Sequence, residues 1–544
     1  MKLELDIGTV LKTEWAKIGV NLALEGFDRA TVNSRIWGPK GFPTFPTHKE
    51  GGFDVRYTSY SWIPTDLVYY IGCFNSEGIP PLGWNYWAAH DGRADMLLRN
   101  AMSTYDEKER LKAAYEWQDQ KQGEVNEIML CYPMRAYLTD ANIWGYYIRF
   151  NCYDIDQWTW KGKTQADDVT VRFAIMADPP MWLPLFADGG FLSHTPANRQ
   201  LFRLTFDGKR FGIVPELVTD WTISKDGMSM TLHLRKDVKF HDGVGMTSAD
   251  VKWTFEAILD RATGSTYHGD FSAAVKSVDA PDDYTVILYF KKPTPEILTL
   301  LCPPGGYISI LPKHVLEKVA HDKLKTSDYN TKAPPPGLGP MKFVEWKKGE
   351  YVKFDAWDGY FKGRILVDHL FQVIIPEPAT ALAALEAHTV NMLETGYTMP
   401  LSGEVKRLQT AKPDINASLA PFPATMFLAL NNDHPILQNK FVRQALAWAV
   451  PYDTLIKDVF YGLAEKANSQ IHKSSPLWNP NTMYYTYDLN KARECLAKAG
   501  FPSWPPKPTV IPLSTYLLPA VAGFVAGIVI TAVAMYTVAK RRVK

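Results

Sequence analysis

The residues that could do chemistry are few and scattered. The five cysteines, Cys73, Cys131, Cys152, Cys302 and Cys495, contain no CxxC pair. They read as buried, unreactive thiols rather than a disulfide framework or a zinc site. His233 stands alone on an alternating stretch, and His241 with Asp242 and Gly243 has the composition of a turn rather than of a ligand pair. No GxSxG, HExxH or glycine-rich phosphate loop occurs in the chain. The sets for nucleophilic, zinc-assisted and phosphoryl-transfer chemistry are therefore missing, and neither an enzyme nor a cofactor or metal site is expected. The chain is instead rich in aromatic surface, with 17 Trp, 27 Tyr and 26 Phe. These residues either fill cores or line a cleft that holds an extended ligand by stacking and apolar contact.

The elements that would position such a cleft can be read from the pattern. A chain of 544 residues with 46% hydrophobic residues suits two or three lobes, each of about 100–200 residues. The 59 basic side chains balance 58 acidic ones, which argues against a nucleic-acid partner. Lys2–Asp6 alternates like a strand, Val10–Lys17 is helical up to Gly19, and Val20–Glu25 alternates again. That is the order of a βαβ unit. Gly38–Gly52 is a Pro/Gly-rich loop, and Phe53–Ser59 reads as a strand. Asp106–Glu124 reads as a helix with a solvated charged face, and Met129–Leu138 as a strand. Further along, Met228–Arg235 alternates. Thr247 and Asp250 have capping-box spacing at the start of a helix, and Met341–Phe354 reads as a hairpin. Pro378 opens a short helix, and Phe441–Ala449 and Asn490–Ala499 are helical, the last stopping at Gly500.

Tyr516–Ala539 is uncharged and almost wholly apolar, long enough as a helix to cross a hydrocarbon core of about 30 Å. Lys540, Arg541, Arg542 and Lys544 follow it and place that end in the cytoplasm, with the rest of the chain outside. The proline-rich run before it, residues 502–515, reads as a stiff spacer. Residues 1–19 lack the apolar run of a secretory signal. Either export is signalled in another way or the gene starts upstream, and the second is the expectation.

Asp220–Asp260 (DWTISKDGMSMTLHLRKDVKFHDGVGMTSADVKWTFEAILD) resembles the signature of family 5 solute-binding proteins of ABC importers, which serve oligopeptides, dipeptides, nickel and some oligosaccharides. Gly337–Tyr360, Met426–Val450 and Tyr487–Phe501 resemble later blocks of that family in the same order. Two places depart from it. Gly339-Pro340-Met341 stands where the family has a Gly-Pro-Tyr type turn, and His388-Thr389-Val390-Asn391 where it has Gly-Glu-Ile-Asp. Leu11–Leu24, Phe53–Tyr70 and Tyr105–Gly145 resemble blocks that the family places after Phe501, so one module's segments stand in permuted order. Residues 1–147 would supply the second lobe and return strand, 148–168 a linker, and 169–501 the rest of the module. A spacer over 502–515, a membrane helix over 516–539 and a basic tail over 540–544 would follow. The first part is either the tail of a preceding tandem copy or the completion of this module. Completion is favoured, because the second lobe would otherwise expose a sheet edge and an apolar face.

The resemblance implies a two-lobed, α/β, periplasmic-binding-protein-like (Venus flytrap) fold with mixed sheets, plus one C-terminal transmembrane helix. It implies capture of an oligopeptide between lobes that close by a hinge, and delivery to permease subunits with their ATPases at the cell membrane. It places Trp62 and Asp66 in the block near the ligand, where Asp66 would pair with a terminal ammonium. Asn85 and Tyr86 would contact ligand backbone, or else hold their own loop. Trp62, Trp84 and Trp87 would stack on sugar rings if the ligand were an oligosaccharide. A membrane-anchored extracellular hydrolase is the rival from another class.

Overall fold

Lys2–Asp6 alternates in sequence but forms the first turns of a helix. The buried residues Ile7, Leu11, Trp15 and Ile18 recur at helical spacing, and that stripe carries the residues before it into the same helix. The computed structural model describes residues 2–26, 31–32, 35–36, 53–61, 67–79, 84–144, 148–149, 152–153, 155–186, 196–302, 308–394, 402–501, 511–517 and 528–530. Its main elements begin with α1 (Lys2–Ala16), β1 (Val20–Gly26), β2 (Val55–Ser61), α2 (Val68–Phe74), α3 (Gly92–Ser103), α4 (Glu107–Glu124) and β3 (Glu127–Asp140). There follow β4 (Thr170–Ile175), β5 (Val218–Ile223), β6 (Ser229–Leu234), α5 (Ser248–Leu259), β7 (Val275–Asp282) and β8 (Thr285–Phe290). Next come β9 (Met341–Lys347), β10 (Tyr351–Ala356), β11 (His369–Ile374), α6 (Pro378–Glu386), β12 (Met392–Leu393), α7 (Ser402–Ala411) and β13 (Ile415–Pro421). The last are β14 (Ala424–Leu430), α8 (Lys440–Trp448), β15 (Ala464–Lys466), α9 (Leu489–Lys498), β16 (Ile511–Leu517) and β17 (Ile528–Ile530).

The chain divides into two compact units. Residues 1–102, 106–134 and 421–544 make unit 1, and residues 103–105 and 135–420 make unit 2. The chain passes between them inside β3, after Met134, and at the end of β13, after Ala420.

In unit 1 the sheet runs β1-β16-β17-β2-β14-β3, with β15 also paired to β3. Its two faces alternate along β14, and a bulge in the β14–β3 pairing at Met426 and Phe427 interrupts the alternation in β3. Met426, Leu428 and Leu430 of β14 and Ile128 and Leu130 of β3 join α1, α8 and α9 in one core. Phe427 and Ala429, with Met129 and Tyr132, join α2, α3 and α4 in the other. All seven residues of β14 are buried, as a central strand covered on both faces must be.

Unit 2 holds a four-stranded antiparallel sheet, β5-β6-β8-β7, over which α5 packs. Thr247 and Asp250 form the expected capping box at the head of α5. A second, mixed sheet joins the unit-2 end of β3 through β12, β4, β11 and β10 to β9. The expected hairpin is β9–β10, with Met341 opposite Ala356. His241 lies in a turn, where Gly243 N–H donates to Phe240 O at 2.8 Å, but its side chain reaches a distant segment. Its Nδ1 accepts from Gly337 N–H at 3.2 Å, and its Nε2 donates to the Gly339 carbonyl at 3.0 Å. Gly339 is required there, because a Cβ would lie 2.2 Å from the Pro196 carbonyl oxygen.

One expectation about the C-terminal stretch needs correction. The 502–515 segment is not wholly a spacer, since Ile511–Leu517 is a strand running parallel to β1, with Val20 opposite Ile511 and Gly26 opposite Leu517. The membrane helix expected over 516–539 lies mostly outside the described residues. Its described parts, 516–517 and 528–530, are extended, with Val55–Tyr57 of β2 pairing Ile528–Ile530. Ile and Val suit a buried strand as well as a membrane helix, and here backbone groups on β1 and β2 supply their partners. Among the described residues no helix is long and apolar enough to cross a membrane.

Candidate functional site

The block from Phe53 to Asp95 in unit 1 carries the residues singled out from the sequence. Trp62 and Asp66, between β2 and α2, lie outside the described residues. Around them the chain is pinned closely. Gly78 sits where a Cβ would lie 2.2 Å from the Gly72 carbonyl oxygen, so the turn after α2 folds back hard on the helix. Trp84 N–H donates to that same carbonyl at 2.7 Å, and Asn85 N–H donates to Gly78 O at 2.8 Å.

This scaffold separates the three remaining candidates. Asn85 is fully buried. Its amide nitrogen donates to the carbonyls of Asn75 and Ala89, both at 2.9 Å, and its amide oxygen accepts from Ala89 N–H at 3.0 Å. Tyr86 is also buried, edge-on to Trp87 at 5.1 Å between ring centres, with the Arg56 guanidinium 4.9 Å above its ring. Trp84, two residues before Tyr86, is 57% exposed. The loop thus fixes Asn85 and Tyr86 inward and presents Trp84 outward.

Behind the loop stands an aromatic wall. Trp87 meets Phe74 at 5.5 Å and Phe427 at 5.6 Å, and Tyr70 packs edge-on to Trp117 at 5.7 Å. Set into this wall is a charged pair that sequence reading missed. Lys121 of α4 and Glu127 of β3 are both fully buried, 3.1 Å apart. The Glu127 carboxylate also accepts from Trp87 Nε1 at 3.1 Å and Gln470 Nε2 at 2.6 Å. Gln118, one turn before Lys121, accepts from the Ser469 hydroxyl at 2.8 Å and donates to Leu477 O at 2.9 Å. The Tyr132 hydroxyl lies 2.9 Å from Ile471 O and accepts from Ser469 N–H at 3.2 Å. Residues 468–479 are therefore held against the wall by buried polar contacts rather than by a regular element. His472 is buried there. Its Nδ1 accepts from Ser474 N–H at 3.1 Å, and burial pushes its pKa down to about 3, so the ring is neutral.

Among the described residues no group of three His, Cys, Asp or Glu side chains could hold a metal ion. Cys73, Cys131, Cys302 and Cys495 are buried, and burial raises the Cys73 and Cys131 thiols. Unit 1 has instead a buried aromatic core threaded by polar contacts.

Residues 212–517, more than half of the chain, match the model of bacterial extracellular solute-binding proteins, family 5 middle region. The chain belongs to this family. Among its family 5 relatives, an ABC transporter peptide-binding protein of Brucella ovis is 29% identical over 343 residues, covering 63% of this chain and 62% of that protein. The oligopeptide-binding protein AppA of Bacillus subtilis is 31% identical over 283 residues, covering 51% of this chain and 49% of AppA. The chain thus spans between about half and three fifths of the length of these relatives. Among solved structures, NikA of Brucella suis has a TM-score of 0.51 at 24% identity, over 61% of this chain and 64% of NikA. CtaP of Listeria monocytogenes has a TM-score of 0.50 at 24% identity, over 62% of this chain and 66% of CtaP. Both likenesses give this family member the mixed α/β fold of two-lobed periplasmic binding proteins.

Proposed function

We propose that this family 5 protein is the substrate-binding component of an ABC importer and that it captures oligopeptides for a membrane permease. The observation that carries the reading is the family match over residues 212–517, whose relatives include peptide-binding proteins of Brucella and Bacillus. It does no chemistry of its own. Residues 1–147 complete the module, a reading supported by residues 1–102 and 106–134 sharing one compact unit, and both of its cores, with residues 421–501. Asp66 pairs with the peptide's terminal ammonium, and Trp62 and Trp84 supply apolar surface.

The exposure of Trp84 on a pinned loop favours oligosaccharide as the second ligand class, since an outward indole stacks on a sugar ring as readily as on a peptide side chain. Calorimetric titration of the full chain with pooled short peptides, then with β-linked oligosaccharides, separates the two. Saturable binding of peptides alone supports the first reading, and binding of sugars alone replaces it. A folded protein that binds neither removes both.

The apolar stretch 516–539 with its basic tail anchors the protein to the cell membrane, with the binding units outside. Insertion requires Ile528–Ile530 to leave the sheet of unit 1. Flotation of the full chain with liposomes tests the anchor. Recovery in the unbound fraction would sink it.

A further inference from the structure

His388 stands where the family pattern leads one to expect glycine, and its backbone shows why that matters. It is held at φ +54°, in the left-handed region that favours glycine. Its side chain lies between two carboxylates. Nδ1 is 2.6 Å from an Asp140 oxygen, and Nε2 is 3.1 Å from an Asp414 oxygen. Asp140 ends β3 and Asp414 directly precedes β13, and these are the two strands along which the chain passes between unit 2 and unit 1. All three residues belong to unit 2.

We propose that His388 is a proton-operated clamp on the unit-2 ends of β3 and β13. Carboxylate oxygens only accept, so two of them on opposite sides of one ring are both satisfied only when both ring nitrogens carry protons. The imidazolium meets that condition and the neutral ring does not. Asp140 is nearly buried and also accepts from Asn391 Nδ2 at 2.7 Å. Its need for donors keeps the remaining proton on Nδ1 when the ring is neutral, and Asp414 is the partner let go. Two other charges lie nearby. Arg407 of α7 and Lys412, which follows that helix, both pair with Glu386 of α6, and Lys412 also attracts the Asp414 carboxylate. The Asp140 and Asp414 contacts hold the His388 pKa above its ordinary value. The clamp is therefore fully closed below the ordinary histidine value and opens as pH rises through the raised one.

The backbone reports the state of the clamp. Ala141 N–H donates to Asp414 O at 2.9 Å, and Asp140 N–H donates to Asn391 O at 2.8 Å. His369 repeats the arrangement elsewhere in unit 2, between Asp355 at 2.5 Å and Asp168 at 3.4 Å, and serves as an internal control.

The test is hydrogen exchange on the full chain at pH 5.5 and 8.5, corrected for intrinsic rates. In the wild type the amides of residues 140–141 and 415–416 lose about tenfold in protection at the higher pH. In His388→Gly, which suits the backbone, their protection is the same at both values, while residues 168–170 beside His369 behave as in the wild type. Equal wild-type protection at both pH values, or an unchanged pH response in the variant, overturns the clamp. Histidine-selective NMR is the second measurement, with the His388 signal assigned by its loss in His388→Gln. A titration midpoint above that of an ordinary histidine supports the clamp, and one at or below it overturns it whether or not the glycine variant folds.

Discussion

Lys121 Nζ lies 3.1 Å from Glu127 Oε1, and neither side chain exposes any surface. An ion pair taken fully out of water is stabilising only relative to its broken form. Glu127 also holds Trp87 and Gln470, so the pair links α4, the aromatic wall and residues 468–479. Lys121→Met leaves a buried carboxylate without its cation and is expected to destabilise unit 1 by about 3–5 kcal/mol. Lys121→Met with Glu127→Gln should recover part of that loss, because the glutamine oxygen still accepts from Trp87. Urea unfolding followed by tryptophan fluorescence measures both. A single variant as stable as the wild type would show that the pair is not closed in solution.

Trp84 and Asn85 are neighbours with opposite roles, and substitution should separate them. Asn85→Ala removes three internal hydrogen bonds from a buried site and is expected to lose about 2–4 kcal/mol of stability. Trp84→Ala should leave the melting temperature almost unchanged, since more than half of the side chain is exposed, and weaken ligand binding by about tenfold. Calorimetry on each variant, for heat capacity and for binding, checks both. If Trp84→Ala binds as tightly as the wild type, the indole is not part of the ligand surface.

The contrast between these residues shows what the sequence could and could not disclose. Elements with a strong periodic signal were legible, including β6, α8, α9, the β9–β10 hairpin and the Thr247–Asp250 cap. The first helix was misread at Lys2–Asp6, because a short alternation outweighed a helical stripe that begins at Ile7. Lys121 was counted among the solvated charges of its helix. Its spacing from Ala114, Trp117 and Gln118 puts it on the buried face, but a lysine's class outvotes its position when residues are read singly. Gln470 and Ser469 sit in an irregular segment with no period to read. The strand at Ile511–Leu517 was hidden by Pro512 and by the proline-rich run just before it.

His241 gives a pH prediction of opposite sign to that of His388. It is buried between Gly337 and Gly339, and burial pulls its pKa from 6.5 down to about 4. A base held below its ordinary value stabilises the fold while neutral. Its contribution is fully present above pH 6.5 and is lost as pH falls from there toward 4. The shift corresponds to about 3 kcal/mol. His241→Asn keeps one acceptor and one donor but binds no proton, so the stability of unit 2 should fall less steeply between pH 6.5 and 4.5. Urea unfolding at several pH values within that window reads the slope, and an identical slope in wild type and variant would remove His241 from the acid response.

Arg443 holds part of unit 1 together without regular structure. Its guanidinium donates to backbone carbonyls, Nε to Val125 O at 2.9 Å, Nη1 to Leu437 O at 2.7 Å and Gln438 O at 2.9 Å, and Nη2 to Glu124 O at 2.8 Å, while an oxygen of the Glu124 carboxylate is 3.9 Å away. Glu124 and Val125 end α4, where carbonyls lack helical partners and Val125 turns through φ +51°. One side chain on α8 therefore caps α4 and fixes the loop before α8. Lysine carries the same charge but only three donors from a single nitrogen, so it cannot span both groups of carbonyls. Arg443→Lys is expected to lose about 2–4 kcal/mol, nearly as much as Arg443→Met, because the missing quantity is fork geometry rather than charge. Hydrogen exchange should show the loss at residues 123–127 and 437–439 in both variants. If lysine restored wild-type protection, charge rather than geometry would be what holds the end of α4.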